Sequence, residues 1–442
     1  MSRLEKLLFQ LTIFLIPTNL AYHFYVSESY ISGILSDYLI PRIYLSDIPI
    51  LILLFIWLTK QKLTKQKLLK YLKKPNSLLL LFCFLLVGIR GLLSTRPLAA
   101  TWFWFKLIEL FLFFLWIKIH AFKKWKAKIR NLITLPLALA LIFQSLLALY
   151  QFTTQRSLVG YPLLGEPTLI INQNIAKTTL FGSLRIIPYG TNPHPNILAG
   201  FISIGLISLF LLSRGEKTKK PYHNLLKATT YFFSIPALLL TQAASAWLAL
   251  LFAILLISLA LQASTSPKKL LTTFTSAIII SVIFLLLPTT SKLHQTFQLP
   301  YDSSSITRRI QLSNIALTAF AHMPIFGIGL NNFTAVMQNY GTITGTTRFF
   351  QPVHSIYLLW LTETGLIGTL PVIYLLWQKR KTIRYSLFTI PFAMILLIGL
   401  VDHYPLTLQQ GQLLLVLSIA LASTPYQNLN VKRDLPTDRQ TR

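Results

Sequence analysis

Cysteine is almost missing from this chain: Cys83 is the only one in 442 residues, so neither a disulfide nor a cysteine metal site can form within it. Acidic side chains are scarce as well, with 12 Asp and Glu against 41 Lys and Arg. Strand-length alternation of apolar and polar residues is lacking, which argues against a membrane β-barrel. No convincing internal repeat occurs, which weighs against a repeat-built transporter. What the sequence does contain is hydrophobicity: 53% of residues are hydrophobic and only 12% charged. Apolar runs recur from end to end, each close to the roughly twenty residues a helix needs to cross a ~30 Å hydrocarbon core. Only closed backbone hydrogen bonding survives there, so the expected fold is an all-α polytopic membrane protein forming one integral membrane domain over 1–442.

Hydropathy suggests 12 spans, near 7–26, 45–59, 77–94, 98–119, 132–151, 196–213, 225–242, 245–264, 270–288, 355–377, 385–401 and 409–424. The first run could imitate a signal peptide, but it holds Pro17, Asn19 and His23 and no small-residue cleavage site follows, so it is read as a membrane helix. A net charge of +29 would suggest nucleic acid in a soluble protein, so the positions of the cations decide its meaning. With the N-terminus inside, 29 of the 41 Lys and Arg fall on the cytoplasmic side, nine fall outside, and three (Arg90, Lys106, Lys118) lie within spans. This is the positive-inside pattern, and it assigns the basic segments to topology and anionic lipid rather than to nucleic acid. Both termini, including a tail over 425–442, are then cytoplasmic, and two long stretches, 152–195 and 289–354, face outward.

The second outer stretch is patterned. After "YDSSS", the segment "ITRRIQLSNIALTAFAHM" places Ile306, Ile310, Leu317 and Phe320 at helical spacing and ends at Pro324, as an amphipathic surface helix would. "PIFGIGLNNFTAVMQNYG" follows, with Gly327 and Gly329 suited to a tight turn and a second short helix beyond.

The run "RIQLSNIALTAFAHMPIFGIGLNNF", the later "VHSIYLLWLTETGLIGTL" and the upstream "YGTNPHPNILAGF" together resemble the core of the bacterial O-antigen ligase and O-antigen polymerase family. The resemblance implies a twelve-helix enzyme of the bacterial cytoplasmic (inner) membrane, acting on the outer face. Such an enzyme moves glycan from a polyprenyl-diphosphate carrier to an acceptor, either a lipid-anchored core or a growing glycan. No cofactor is implied beyond the lipid-linked donor. Arg309 matches the loop arginine of the family, and His354 its histidine.

This chemistry needs a base for the attacking hydroxyl and fixed cations for the departing diphosphate. A histidine titrating near 6.5 can take the proton, which suits His354. Arg308 or Arg309 presents a guanidinium fork that matches phosphate oxygens. The outer carboxylates Glu28, Asp37, Asp47, Glu166, Asp302 and Asp402 are scattered singly, so no paired acidic metal motif is visible and no metal site is expected. His194, between two prolines, reads first as a helix-start residue and second as a catalyst. Arg185 serves either donor phosphate or lipid headgroups. His322 and Arg348 read as surface residues. Asp402 reads first as a cap for the last helix and second as an orienting group for a histidine. Lys106 and Glu109 pair on one helix, and Arg90, near the outer end of its span, reads first as a snorkelling residue and second as a group near phosphate. Glu363 lies about 13 Å deeper than His354 at ~1.5 Å rise per residue and points away from it, so it reads as an interhelical packing group.

Two departures from the family pattern stand out. Many members carry a serine–arginine pair before an "AW" stretch, and here "LTQAASAWLAL" has Ala243 and Ala244 at those places. Either Arg185, Arg308 or Arg348 then supplies the missing cation, or the leaving group is bound differently. Ser355 stands where asparagine usually follows the histidine. The competing class is a transporter or flippase of lipid-linked saccharide, which the gathering of polar residues on the outer loops disfavours.

Overall fold

The structure is a computed structural model that describes residues 1–60, 75–121, 127–170, 175–180, 183–213, 221–262, 297–298, 303–343, 350–384 and 386–423. The expected span at 270–288, most of the lysine-rich connections, Arg348 and the tail lie outside these residues. The described chain is mostly helical. Its principal helices are α1 (Arg3–Leu15), α2 (Asp47–Lys60), α3 (Pro75–Leu92), α4 (Pro97–Trp116), α5 (Ala127–Thr154), α6 (Pro195–Ser213) and α7 (Pro221–Leu240). They continue as α8 (Ala244–Gln262), α9 (Ser303–His322), α10 (Phe333–Val336), α11 (Ile356–Arg384), α12 (Thr389–Ile398), α13 (Tyr404–Thr407) and α14 (Gln409–Ala422).

Among the described residues, four helical stretches are long and apolar enough to cross a membrane: Pro97–His120, Leu132–Thr154, Pro195–Ser213 and Ile356–Arg380. Five shorter apolar helices accompany them. Each expected span among the described residues overlaps a helix, but the helix at 385–401 covers only Thr389–Ile398, and the first span is cut short as well. Instead of running to Val26, α1 ends at Leu15, just before Pro17, and Ala21–His23 forms a strand, β1, paired antiparallel with Arg42–Tyr44. Proline lacks the N–H that would continue the ladder, and the Tyr–His–Phe–Tyr alternation that follows suits an extended chain.

The core is a continuous apolar cluster in which Phe9, Trp57, Phe113, Trp116 and Phe201 are almost fully buried. Helix α5 packs against α1, α6 and α7, while α12 packs against α8 and α14. Two polar side chains of α5, Gln144 and Gln151, face the loop leading into α6. Gln144 accepts from Thr191 N (2.9 Å), and Gln151 accepts from Tyr189 N (3.0 Å) and Gly190 N (2.8 Å). Backbone donors buried away from water are thereby satisfied, and the chain is delivered to the start of α6 in a fixed path.

The amphipathic helix expected before Pro324 is present as α9, but its inward face is a different one. Leu312, Ile315, Ala316 and Ala319 are buried, whereas Ile310 is 56% and Leu317 52% exposed. Helix α11 is interrupted at Gly365, whose φ of 62° and ψ of −163° are not helical. The loop after α9 inserts at this break: Leu366 N donates to Pro324 O (2.9 Å), Ile367 N to Ile325 O (3.1 Å), and Ile328 N to Thr362 O (3.0 Å). A Cβ on Gly327 or Gly365 would collide with the facing backbone, and both residues have positive φ, so Gly327, which read as a turn residue, and Gly365, which did not, are what allow the loop and the broken helix to interlock. Arg90 does not simply snorkel: its Nε donates to Gly327 O (2.9 Å) and its Nη1 to Leu93 O (3.0 Å), which anchors this loop to α3.

Candidate active site at one end of the helix bundle

Connections from distant parts of the chain meet at one end of the bundle, and His354 lies among them. It sits just before α11, whose first residue is tied to the end of α12 by Ile356 N donating to Gly399 O (2.9 Å). That bond sets the segment 399–403 beside the histidine. Arg309, on α9, donates from Nη1 to Val401 O (3.0 Å). Asp402 accepts from Asn196 Nδ2 (3.3 Å), at the start of α6. The phenol of Tyr404 lies against Gly200, where a Cβ would strike it, so α6 and α13 approach closely. Four separate stretches of sequence thus contribute to one cluster.

At its centre two imidazoles are packed together. The rings of His354 and His403 have centroids 5.2 Å apart, and Tyr38 meets His403 edge-on at 5.4 Å. His403 Nδ1 bonds Thr407 Oγ1 at 2.8 Å. His403 is buried, His354 is half-buried, and the buried Nδ1 of His354 has no hydrogen-bond partner among the described residues. Burial pushes the His354 pKa down to about 4, helped by His403 and Arg309 and opposed by Asp402 and the Pro352 carbonyl. His403 is pushed down to about 3, again by burial first, then by His194 and Arg309. His194 is also lowered, by the protein around it and by Arg309, against the pull of Asp402. These imidazoles are therefore neutral at neutral pH. An anion placed among them would favour their protonated forms, so the pocket is primed to take up a proton as negative charge arrives.

Of the sequence-predicted residues, the structure brings His354, Arg309, Asp402 and His194 together. His194 acts as a helix-start residue, its Nδ1 accepting from Asn196 N (3.2 Å), while it shares the electrostatics of the cluster. Asp402 does not cap a helix: α13 begins at Tyr404 with no side-chain cap, and the carboxylate instead bonds Asn196 beside the histidines. Arg308 is half-buried next to Arg309, but it is Arg309 that reaches Val401 and acts on the histidines. Arg185 lies on the strand Ser183–Ile186, where its Nε donates to Ser183 Oγ (3.4 Å), and it contributes no charge effect to His354. Ala243 is buried just before α8. Among the described residues no group of three His, Cys, Asp or Glu side chains is arranged to hold a metal ion.

His403 was left out of the predicted site, although its surroundings in "VDHYP" held the signal. An acidic residue beside a histidine before the last apolar run marks a polar helix end facing the same way as His354. Glu363 proves to be hydrogen-bonded to backbone rather than to side chains of another helix, with Asn331 N of the loop donating to Oε2 (2.9 Å) and Phe333 N, at the start of α10, to Oε1 (3.1 Å).

Fold and site together define a helical multi-pass membrane protein with a histidine–arginine cluster at one end of its bundle. Residues 229–373, which include both Arg309 and His354, match the family model described as O-antigen ligase. This match to part of the chain supports the O-antigen ligase and polymerase family, the family its motifs resemble. A comparison with curated proteins finds no match.

Proposed function

We propose that the protein transfers a glycan from a polyprenyl-diphosphate carrier to an acceptor hydroxyl on the outer face of the bacterial cytoplasmic membrane. The family match over residues 229–373 supports ligase- or polymerase-type activity. The observation that carries the finer reading is the meeting of half-buried His354, with its unpartnered Nδ1, and Arg309 within the matched domain. In the reaction the acceptor oxygen attacks the anomeric carbon, its proton passes to His354, and the bond from that carbon to the diphosphate oxygen breaks. Arg309 meets the charge that develops on the leaving diphosphate, a contribution that typically amounts to about 3 kcal/mol per fixed donor. The diphosphate is itself the leaving group, so the displacement needs no cofactor. Asp402 balances the arginine and favours protonated histidine. The positive-inside pattern of the sequence supports an outer-face location for the cluster, in the headgroup layer where the donor diphosphate lies.

The test is transfer in proteoliposomes supplied with polyprenyl-diphosphate glycan and either a lipid-anchored or a glycan acceptor. Wild type is expected to form product, and His354→Ala and Arg309→Ala to lose it while remaining folded. The acceptor consumed separates ligase from polymerase. Donor that crosses the bilayer without product would instead identify a transporter.

A further inference from the structure

Glu363 has no part in the transfer chemistry, yet a carboxylate buried in an apolar helix is costly and calls for a role. It is spent entirely on backbone, accepting from Asn331 N and Phe333 N (2.9 and 3.1 Å). The loop it holds is further fixed by Gly329 N donating to Glu363 O (3.0 Å) and by Arg90 on Gly327 O (2.9 Å). From this loop Asn331 Nδ2 donates to the Tyr38 carbonyl (2.8 Å). Tyr38 is the residue whose ring braces His403 at 5.4 Å, and His403 packs on His354 at 5.2 Å. Both ends of this line belong to one piece of chain, because Glu363 lies in the first half of α11 and that half begins just after His354. The contacts form a closed loop in space: carboxylate, loop, tyrosine, two imidazoles, and back along the helix.

We propose that Glu363 is a positioning residue for His354, acting through Asn331, Tyr38 and His403 on the ring that receives the acceptor proton. The inference rests on the transfer reaction proposed above. It explains why an acid is kept where an apolar side chain would be cheaper: only an acceptor with two oxygens can hold both N–H groups, and the orientation of Asn331 follows from that grip. A ring displaced by about 1 Å is enough to cost a large factor in rate.

The test uses the full chain in proteoliposomes and compares Glu363→Gln, Asn331→Gly, Tyr38→Ala and Tyr38→Phe with wild type and with His354→Ala. Glutamine keeps the shape of Glu363 but presents an NH₂ to one of the two donors. Glycine at 331 removes the side-chain bond and tolerates the local φ of 51°. In Glu363→Gln, Asn331→Gly and Tyr38→Ala, kcat is expected to fall about tenfold with the donor KM nearly unchanged. The acid limb of kcat against pH should also move up toward the value near 6.5 of a solvated histidine, as water reaches the ring. The charged and titrating groups facing His354, namely His403, Arg309 and Asp402, with His194 behind His403, are present in all of these variants, so the movement reports the brace. Tyr38→Phe keeps the ring edge and should recover what Tyr38→Ala loses. A wild-type kcat and an unmoved acid limb in Asn331→Gly and Tyr38→Ala, with His354→Ala inactive, would overturn the proposal and leave the reaction standing. A fully active His354→Ala would overturn both, and the fault would lie with the reaction.

Discussion

Lys106, within an apolar helix, and His354, just before one, are both ionisable groups, yet their surroundings are opposite in kind. Lys106 Nζ is bonded to Asp47 (2.5 Å) and Glu109 (2.9 Å), and Asp47 in turn accepts from Tyr44 N (2.9 Å) and from Gln409. Three helices, α2, α4 and α14, are joined through that knot, and both charged ends of the lysine's contacts are inside it. Both sites leave buried atoms without a partner among the described residues, Glu109 Oε1 and Gln409 Oε1 in the first and Nδ1 of His354 in the second, so the difference lies in charge: Arg309 bonds a backbone carbonyl and, among the described residues, forms no ion pair. A closed network of opposite charges holds helices together. An open one, with a permanent cation beside neutral imidazoles, keeps its capacity for a substrate.

This contrast can be broken from either side. Lys106→Met leaves two carboxylates without their cation and should cost about 3–5 kcal/mol of stability, seen as a large fall in the melting temperature of the detergent-solubilised protein. Transfer per folded molecule should change little. Neutralising all three partners together, with Asp47→Asn and Glu109→Gln added, should recover much of the loss, because no unpaired charge remains. Gly365→Ala attacks the frame of the open site instead. Its positive φ and the facing backbone make an alanine cost about 1–3 kcal/mol, and the interlocked loop should loosen with it, lowering both melting temperature and transfer.

The smallest effect is one of pH. His354 and His403 have folded-state pKa values pushed down to about 4 and about 3, below the 6.5 of the unfolded chain, so the folded protein binds fewer protons than the unfolded one between those limits. Their contribution to stability is complete above about 6.5 and is lost as pH falls toward the folded values. Denaturation midpoints measured from pH 7 to pH 4 should therefore decline, and His403→Phe should flatten that decline.

Hydropathy made the helices legible, because spans of apolar residues have few other uses in a chain with this charge pattern. It misjudged α1, since Ala21 to Val26 counts as apolar while its tyrosines and His23 alternate along a strand. It also chose the wrong face of α9. That helix has two apolar stripes at helical spacing, Ile310 and Leu317 on one, Leu312, Ile315, Ala316 and Ala319 on the other, and periodicity alone does not say which is covered. His354 and Arg309 were readable as residues, through the resemblance of their surroundings to a family. Their meeting with Asp402 and His403 was not, because it depends on the tie from Ile356 to Gly399 and on a tyrosine from near the N-terminus. The glycine motifs read as turns, and their true use appeared only when the break at Gly365 was set against the loop it receives.

The most direct test of the account is the rate of glycan transfer by His354→Gln beside the neutralised Asp47→Asn, Lys106→Met, Glu109→Gln variant, both reconstituted at equal folded concentration. Loss of a general base typically costs about 10²–10⁴ in rate, so the histidine variant should fall by such a factor with an unchanged melting temperature, while the network variant keeps transfer within a few fold of wild type. Transfer at the wild-type rate by His354→Gln, or its abolition in the folded network variant, would contradict the assignment of chemistry to the open cluster and of structure to the closed one.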